Sequence, residues 1–563
     1  MVAIRIERFA GMLPVQEPGL LNDPVAAAAL NVRVDSGSIK GVPAPRVIKT
    51  LAPTTKKVFR LPFTTGGAPV ALSDLDNSYW VEFADQDTDF MRSPAISDGF
   101  DRYYWCSPST GPRYATRAQL LAGSYGVRLG VRAPTVAPIV TPVPGTGAIT
   151  GGVNTGRPVT RSYAVTWVSE YGEESAPSPP SEASGFADQQ WSVTGIQQPV
   201  AVTDRVNITG LRLYRTVTGA SGATTFYFVS EVALGSTTYV DTSPDTVVTS
   251  GRQAESISWA EPPDMDGMAA MPNGIFVGFK GNTLFFSENY RPHAWPPEYA
   301  VTVQHPIVGL GVFGNSCVVC TTGAPAVVTG IRSATMSLTQ TNAPTPCVSR
   351  RSICSGLEGV AFATESGLCL FGPAGASVFS TGFISRDQWA TQYSPSTQSA
   401  IVFAGDYIAL RGGADAFMFP LPVGQERSGL GGVVNLDGLA TPISLQVDPW
   451  AGRALYVRQS QLLEWFPLGG TPRTIRWRSK RFDVGRPLNL GAAQISFVSG
   501  VGVSVTFRVW ADGVLVFNSS VANGKETSLP SGFRATDWQF EVEANTEVLS
   551  IAVASTKREL RRV

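Results

Sequence analysis

The chain has 563 residues, with 44 basic and 44 acidic side chains and only 16% charged residues, against about 25% in ordinary soluble proteins. So balanced and sparsely charged a chain carries no global field toward DNA or an anionic membrane, and six cysteines over this length exclude a disulfide scaffold. Its 57 glycines and 41 prolines are roughly 17% of the chain, against about 12% on average, which predicts many short strands and turns rather than long helices.

"MVAIRIERFAGMLP" lacks an apolar signal core and a cleavage pattern, so no secretory leader is expected, and sparse thiols suit a reducing cytoplasm. No run of about 18 apolar residues exists, so no helical membrane insertion is expected. Residues 1–50 read as an extended N-terminal segment with a hairpin and one short helix. In "NDPVAAAALNV", Asp23 can cap, Pro24 takes the first helical position and four alanines follow. "VRVDSGSIKGV" predicts a hairpin from Val32 to Val42 that turns at Asp35-Ser36-Gly37. Residues 51–130 offer the short strands "KKVFRLPF", "APVALSDLD", "SYWVEFA" and "RYYWCSP", then a helical turn or two at "RAQLLAG".

Near residue 131 the texture becomes rich in Pro, Gly, Thr and Val, as a linker would be. Beyond it Tyr163, Val165 and Trp167 alternate with small or polar residues, the period of a half-buried strand. "LRLYRTVTGASGATTFYFVSEV" predicts a hairpin across Gly-Ala-Ser-Gly, with Leu211, Leu213 and the Phe226–Phe228 pair in the core. "TTYVDTSPD" closes the unit, and residues 131–255 resemble a fibronectin III-like β-sandwich.

Residues 256–470 repeat an apolar strand, a tight turn and a second apolar strand every roughly 35–50 residues, the spacing of propeller blades. The fold expected is therefore all-β: a β-propeller begun at 51–130 and completed at 256–470, with the 131–255 sandwich inserted. A helix is expected at "SRDQWATQYS", where Ser385 and Gln388 form a capping-box pattern. Residues 471–563, with a hairpin turn at "ADG" (511–513), read as a separate C-terminal β-sandwich.

"SENYRPHAWPPEYAVTVQHP" holds both histidines, His293 and His305, with Glu288 and Glu298 flanking the first. A metal or acid–base pair wants ligands one helical turn apart, whereas these histidines are twelve residues apart and prolines exclude a helix between them. The stretch therefore reads as a structural loop between blades, with His293 beside Trp295, Pro296 and Pro297 and with Trp295 and Tyr299 packing over a blade. "GLGVFG" (309–314) fits G-x-G-x-x-G, but a strand-like "NSCVVCTTG" follows where a dinucleotide site needs a helix, so its glycines read as turn residues. "CVVC" (317–320) reads as a buried strand with thiols on opposite faces. "DQDTDF" (85–90) begins like a calcium loop but lacks the glycine and glutamate that complete one. No G-x-S-x-G, P-loop, H-E-x-x-H or sialidase Asp-box occurs, so no catalytic, metal or cofactor site is expected.

"RTIRWRSKRF" is the densest basic cluster. On a strand Arg476, Arg478 and Lys480 share one face, with Trp477 on the other and Arg481 following. Residues 471–563 carry 13 Lys/Arg against 8 Asp/Glu, so this strand is a candidate docking face for an acidic partner ring as well as a solvated surface.

"FAGMLPVQEPGLLNDPVAAAALNVRVDSGSIKGVPAPR" resembles the opening of nozzle proteins (tail tubular protein B type) of short-tailed bacteriophages. "LRLYRTVTGASG…FYFVSEV", "MPNGIFVGF…LFFSENYRPHAWPPEY" and "RATDWQFEVEANTEVLSIAVASTKREL" are similar to stretches of the same group. The resemblance implies a non-enzymatic virion protein, made in the host cytoplasm and located in the tail. It implies a hexameric ring under the head-to-tail adaptor protein, with tail fibres or spikes at its flank. Double-stranded DNA would be retained by the ring and then pass through its lumen. A receptor-binding or glycan-degrading tail protein is the rival expectation, and it would need clustered carboxylates and aromatics in one cleft.

Overall fold

The structure is a computed structural model that describes all residues except 1–2, 35–36, 96–97, 125, 201–206, 219–223, 357–358, 412–414, 422–430, 440–441 and 562–563. Short antiparallel strands dominate, with single-turn or two-turn helices between some of them. The chain divides into two units. One comprises Met1–Asp87, Val308–Val327 and Thr339–Val563; the other comprises Thr88–Ile307 and Val328–Leu338.

In the first unit the largest sheet has ten strands. Ala400–Phe403, Asp406–Leu410, Ala416–Pro420 and Val434–Leu436 pair in series, and Val434–Leu436 meets Ala26–Leu30. The sheet continues through Ile475–Ser479, Ala535–Ala544, Val505–Ala511 and Val514–Ser520, with Phe482–Leu488 also pairing onto Ala535–Ala544. A second sheet runs Ala3–Ile6, Val548–Ala554, Ala492–Phe497, Glu526–Ser528. Ile6, Ile495 and Ile551 of that sheet share one core with Trp477, Phe507 and Phe540 of the first. The strand-rich C-terminal region thus buries its apolar faces, but not as a separate sandwich, because N-terminal strands enter both of its sheets.

The alanine-rich stretch is a strand, Ala26–Leu30, and not the expected helix. It lies between Val434–Leu436 and Ile475–Ser479, where ladder hydrogen bonds on both sides outweigh alanine's helix propensity. The hairpin after it forms, pairing Val32 with Gly41 and Arg33 with Lys40, while the turn residues Asp35 and Ser36 lie outside the described residues.

Among the described residues no sheet closes into a barrel, propeller or solenoid, so the expected β-propeller is corrected to an all-β fold of many small antiparallel sheets and one large open one. The strand pairs read as blades do exist. Cys354–Ser355, Val360–Thr364, Gly367–Gly372 and Gly375–Val378 make one four-stranded sheet. The pairs at 400–420, however, run on into the ten-stranded sheet, and those at 442–465 take the N-terminal Arg46–Thr50 as their fourth strand. A strand–turn–strand period specifies hairpins, and hairpins fit an open sheet as well as a closed ring.

In the second unit Asp89–Arg92, Arg102–Ser107, Gly111–Thr116 and Val127–Arg128 form one sheet, and Gly267–Ala270, Phe276–Lys280, Thr283–Phe286 and Val301–Thr302 another. Tyr104, Cys106 and Tyr114 of the former pack with Met268, Phe276 and Trp295. Farther along, Ile139–Pro142, Trp191–Thr194 and Tyr239–Asp241 share a core with a sheet ordered Ser181–Phe186, Pro158–Ser169, Ile208–Thr218, Thr224–Ala233. Tyr163, Val165, Trp167, Leu211 and Leu213 are buried there, as their alternation predicts. Phe226 and Phe228 are only half-buried, and Phe228 instead lies edge-on to Tyr214 and under Arg252. The Gly-Ala-Ser-Gly turn lies outside the described residues.

Candidate functional site

The prolines shape the loop that carries His293. Pro297 opens a 3-10 turn, Pro297–Tyr299, and Pro296 is buried just before it. Trp295 is buried beside Tyr104 and Phe276, and its indole N–H donates to the Pro292 carbonyl at 2.7 Å. Tyr299 donates to Glu288 at 2.8 Å; burial, and then that carboxylate, push its hydroxyl pKa up to about 12. Glu288, the expected neighbour of His293, is thus engaged elsewhere. His305 is half-buried and does not line the cleft that His293 enters.

His293 meets a different carboxylate, Glu173, in the turn after the strand Pro158–Ser169. His293 Nδ1 stands 3.5 Å from Glu173 Oε1, an ion-pair distance too long for a good hydrogen bond. Arg102 Nη1 donates to the same oxygen at 2.5 Å, while its Nε binds Asp98 at 2.9 Å and its guanidinium lies over Tyr171. Burial pushes the Glu173 carboxyl up, but His293 and Arg102 outweigh it and hold the group below the usual glutamate range. The neighbouring Glu174 accepts from Arg212 at 2.7 Å, Tyr214 at 2.6 Å and Thr166 at 2.7 Å. Trp259 meets the His293 ring edge-to-face at 5.4 Å, and Arg291 lies 4.7 Å over Trp259 while pairing with Glu255 at 2.7 Å.

These groups line one cleft of about 460 Å³, the size of a small-ligand site. Glu173 is held below the usual glutamate range by His293 and Arg102, and Glu174 is engaged by three donors. The chemistry the cleft offers is recognition by fixed charges and aromatic rings. Sequence reasoning found His293 but missed Arg102, Glu173 and Arg252. The acidic run "SEYGEES" between two strands was the available signal, and its partners are remote in sequence.

Trp477 is fully buried and donates to the Ala10 carbonyl, while Arg476 is exposed and Arg478 and Lys480 half-buried, the alternation a strand imposes. Arg476 pairs with the buried Glu541 at 3.0 Å, Arg478 covers Trp510 at 3.8 Å, and Lys480 pairs with Asp23 at 3.0 Å. Arg481 is exposed, with no carboxylate partner among the described residues. Gly309 and Gly311 lie within the strand Ile307–Phe313 rather than in turns; a Cβ on Gly311 would come within 2.4 Å of Val360, so the glycine permits close packing. Cys317 and Cys320 are buried in the strand Ser316–Thr321. Asp87 pairs with Arg351 at 3.0 Å, and Asp89 accepts from the Met268 backbone at 3.0 Å. No group of three or more His, Cys, Asp or Glu stands ready to hold a metal among the described residues.

No protein-family model matches the chain, and no curated protein matches it. Among solved structures, "Crystal structure of BBS1N in complex with ARL6DN, soaked with mercury" is similar at a TM-score of 0.26 and 11% identity, over 46% of this chain and 88% of that one. The lead-soaked form of the same complex gives 0.22 and 9%, over 46% and 90%.

Proposed function

We propose that this chain is a structural subunit of a short-tailed phage tail. It would form a homo-oligomeric nozzle ring, a hexamer, docked under the head-to-tail adaptor, retaining packaged DNA and conducting it at ejection. The observation that carries the reading is where the family-like stretches lie. They supply core residues in both units: Leu211 and Leu213, Phe276 with Trp295, and Trp538, Phe540 and Ile551. The resemblance therefore concerns the framework and not one surface motif. Composition supports it too. Each phosphate contact by Lys or Arg adds an electrostatic hold on DNA, so a balanced chain with few charges suits a conduit that must let DNA slide.

The test is copy number in purified particles, by quantitative mass spectrometry against the portal protein. About half a copy per portal subunit is expected, as a six-membered ring on a twelve-membered portal requires. Absence from particles, or copy numbers in multiples of a trimeric spike, overturns the reading.

A further inference from the structure

We propose that the cleft around His293 binds an acidic saccharide, with Arg252 taking the sugar carboxylate. The inference is read on the isolated chain, so it stands or falls apart from the ring assembly.

Four arginines and three glutamates line the cleft, and three of those arginines are already neutralised by carboxylates. Arg252 is the exception. It is exposed, has no carboxylate partner among the described residues, and rests 4.8 Å over the Phe228 ring. A guanidinium that rests over a ring and has no carboxylate partner has N–H donors to offer for bidentate recognition of a carboxylate. The three glutamates repel a phosphate-dense polyanion, so the surplus of one positive charge selects a ligand with isolated single charges.

The rest of the lining suits hydroxyls and ring faces. Arg212–Glu174, at 2.7 Å and mostly buried, is a pre-ordered donor–acceptor pair that can bracket vicinal hydroxyls with little side-chain ordering on binding, and the exposed pair Arg291–Glu255, also at 2.7 Å, adds polar groups at the rim. His293 is more than nine-tenths buried, lines the cleft, and neither ring nitrogen has a hydrogen-bond partner. Its Nδ1 faces Glu173 at ion-pair distance, so the ring lends the cleft wall polar character rather than an open hydrogen-bonding site. At the rim Tyr290 is 58% exposed with φ +56°, a conformation a bulky residue adopts only when its surroundings impose it. Its N–H donates to the Gly274 carbonyl at 2.8 Å, and its ring lies so close to Gly274 that a Cβ there would come within 2.5 Å. The ring is thus fixed against Gly274 at the cleft edge, and its exposed remainder is free to meet the C–H face of a sugar.

The experiment is isothermal titration calorimetry on the full chain with a tetrasaccharide of alternating glucuronic acid and N-acetylglucosamine, and with sialyllactose. Neutral chitotetraose, lactose and inorganic sulfate serve as comparisons. At least one acidic oligosaccharide is expected to bind at millimolar concentration or below, more tightly than its neutral counterpart. Arg252→Ala should weaken that binding about tenfold and abolish the preference for the charged sugar. Tyr290→Ala should weaken acidic and neutral sugars alike, and Arg486→Ala, an exposed arginine of the other unit, should change nothing. Thermal unfolding of each variant confirms that it is folded. Binding of neither acidic sugar, equal binding by folded Arg252→Ala, or sulfate binding as tight as the sugars overturns the proposal.

Discussion

Arg60 and Asp448 meet at 2.8 Å with both side chains wholly out of solvent, although 388 positions separate them in the chain. Arg60 also donates to Ser78 Oγ and to the carbonyls of Ala71, Leu72 and Asp74, so the pair ties the hairpin Lys57–Leu61/Tyr79–Phe83 to the turn after the strand Pro442–Val447. A buried pair is worth little against an apolar replacement, but a buried charge left alone is costly. Asp448→Ala should therefore lower stability by about 3–5 kcal/mol, and Arg60→Met/Asp448→Leu together by clearly less. Urea denaturation of the three proteins checks this; a double variant as unstable as the single would contradict it.

Glu173 gives the stability a defined pH dependence. Burial raises its pKa, His293 and Arg102 lower it further, and the net folded value lies below the ordinary one. Between the two values the unfolded chain binds more protons than the folded one. The contribution is thus complete above the ordinary glutamate range and is lost as pH falls through the lowered folded value. Glu173→Gln should cost on the order of 3 kcal/mol at neutral pH and flatten the acid limb of Tm against pH. Parallel acid limbs for wild type and variant would show that Glu173 does not set that limb.

Ser385 is a test of what the sequence made legible. The expected capping box forms in full: Ser385 Oγ accepts from the Gln388 N–H at 3.2 Å, and Gln388 Oε1 accepts from the Ser385 N–H at 3.0 Å, opening the helix Arg386–Gln392. Ser385→Ala should cost about 1 kcal/mol, and Ser385→Asp should recover most of it. Thermal unfolding distinguishes these, and equal losses for both would deny the cap.

Local chemistry of this kind was readable at several other places. The 511–513 turn is as expected, with Asp512 at φ +48° and Gly513 at φ +81° between paired strands. Tyr163, Val165 and Trp167 point inward as their period requires. What the sequence hid was partnership at long range. Ala26–Leu30 became a strand because strands more than 400 residues away flank it, and propensity cannot see them. The blade-like period told where hairpins are and nothing about which sheet each would join. Glu173 and His293 escaped notice as a pair because 120 positions of chain lie between them and neither sits in a spaced motif.

All six cysteines are buried. Burial pushes the thiols of Cys317, Cys354 and Cys369 up to about 12, which keeps thiolate scarce at ordinary pH. Because all six thiols are buried, a disulfide reagent at pH 8 should find almost no fast-reacting thiol in the folded chain and six in denaturant. Rapid modification of any thiol in the folded chain would mean that its strand opens readily.

Glu541 bears on whether the basic strand is a free docking face. It is fully buried and accepts from Arg476 at 3.0 Å and from Arg508 at 2.8 Å, while Arg508 also holds Glu543 at 2.8 Å. Either arginine alone still compensates the carboxylate. Arg476→Ala should cost no more than about 1 kcal/mol, because that side chain is half exposed. Arg508→Ala should cost somewhat more. Removing both strands a buried charge, so the double variant should exceed the sum of the singles by about 1–3 kcal/mol, a coupling that a double-mutant cycle measures directly. Additive losses would mean that the arginines act as separate surface charges. In that case Arg476 would be available to an acidic partner; with coupling, the partner must compete with Glu541 for Arg476, and Arg481 is the cation it meets first.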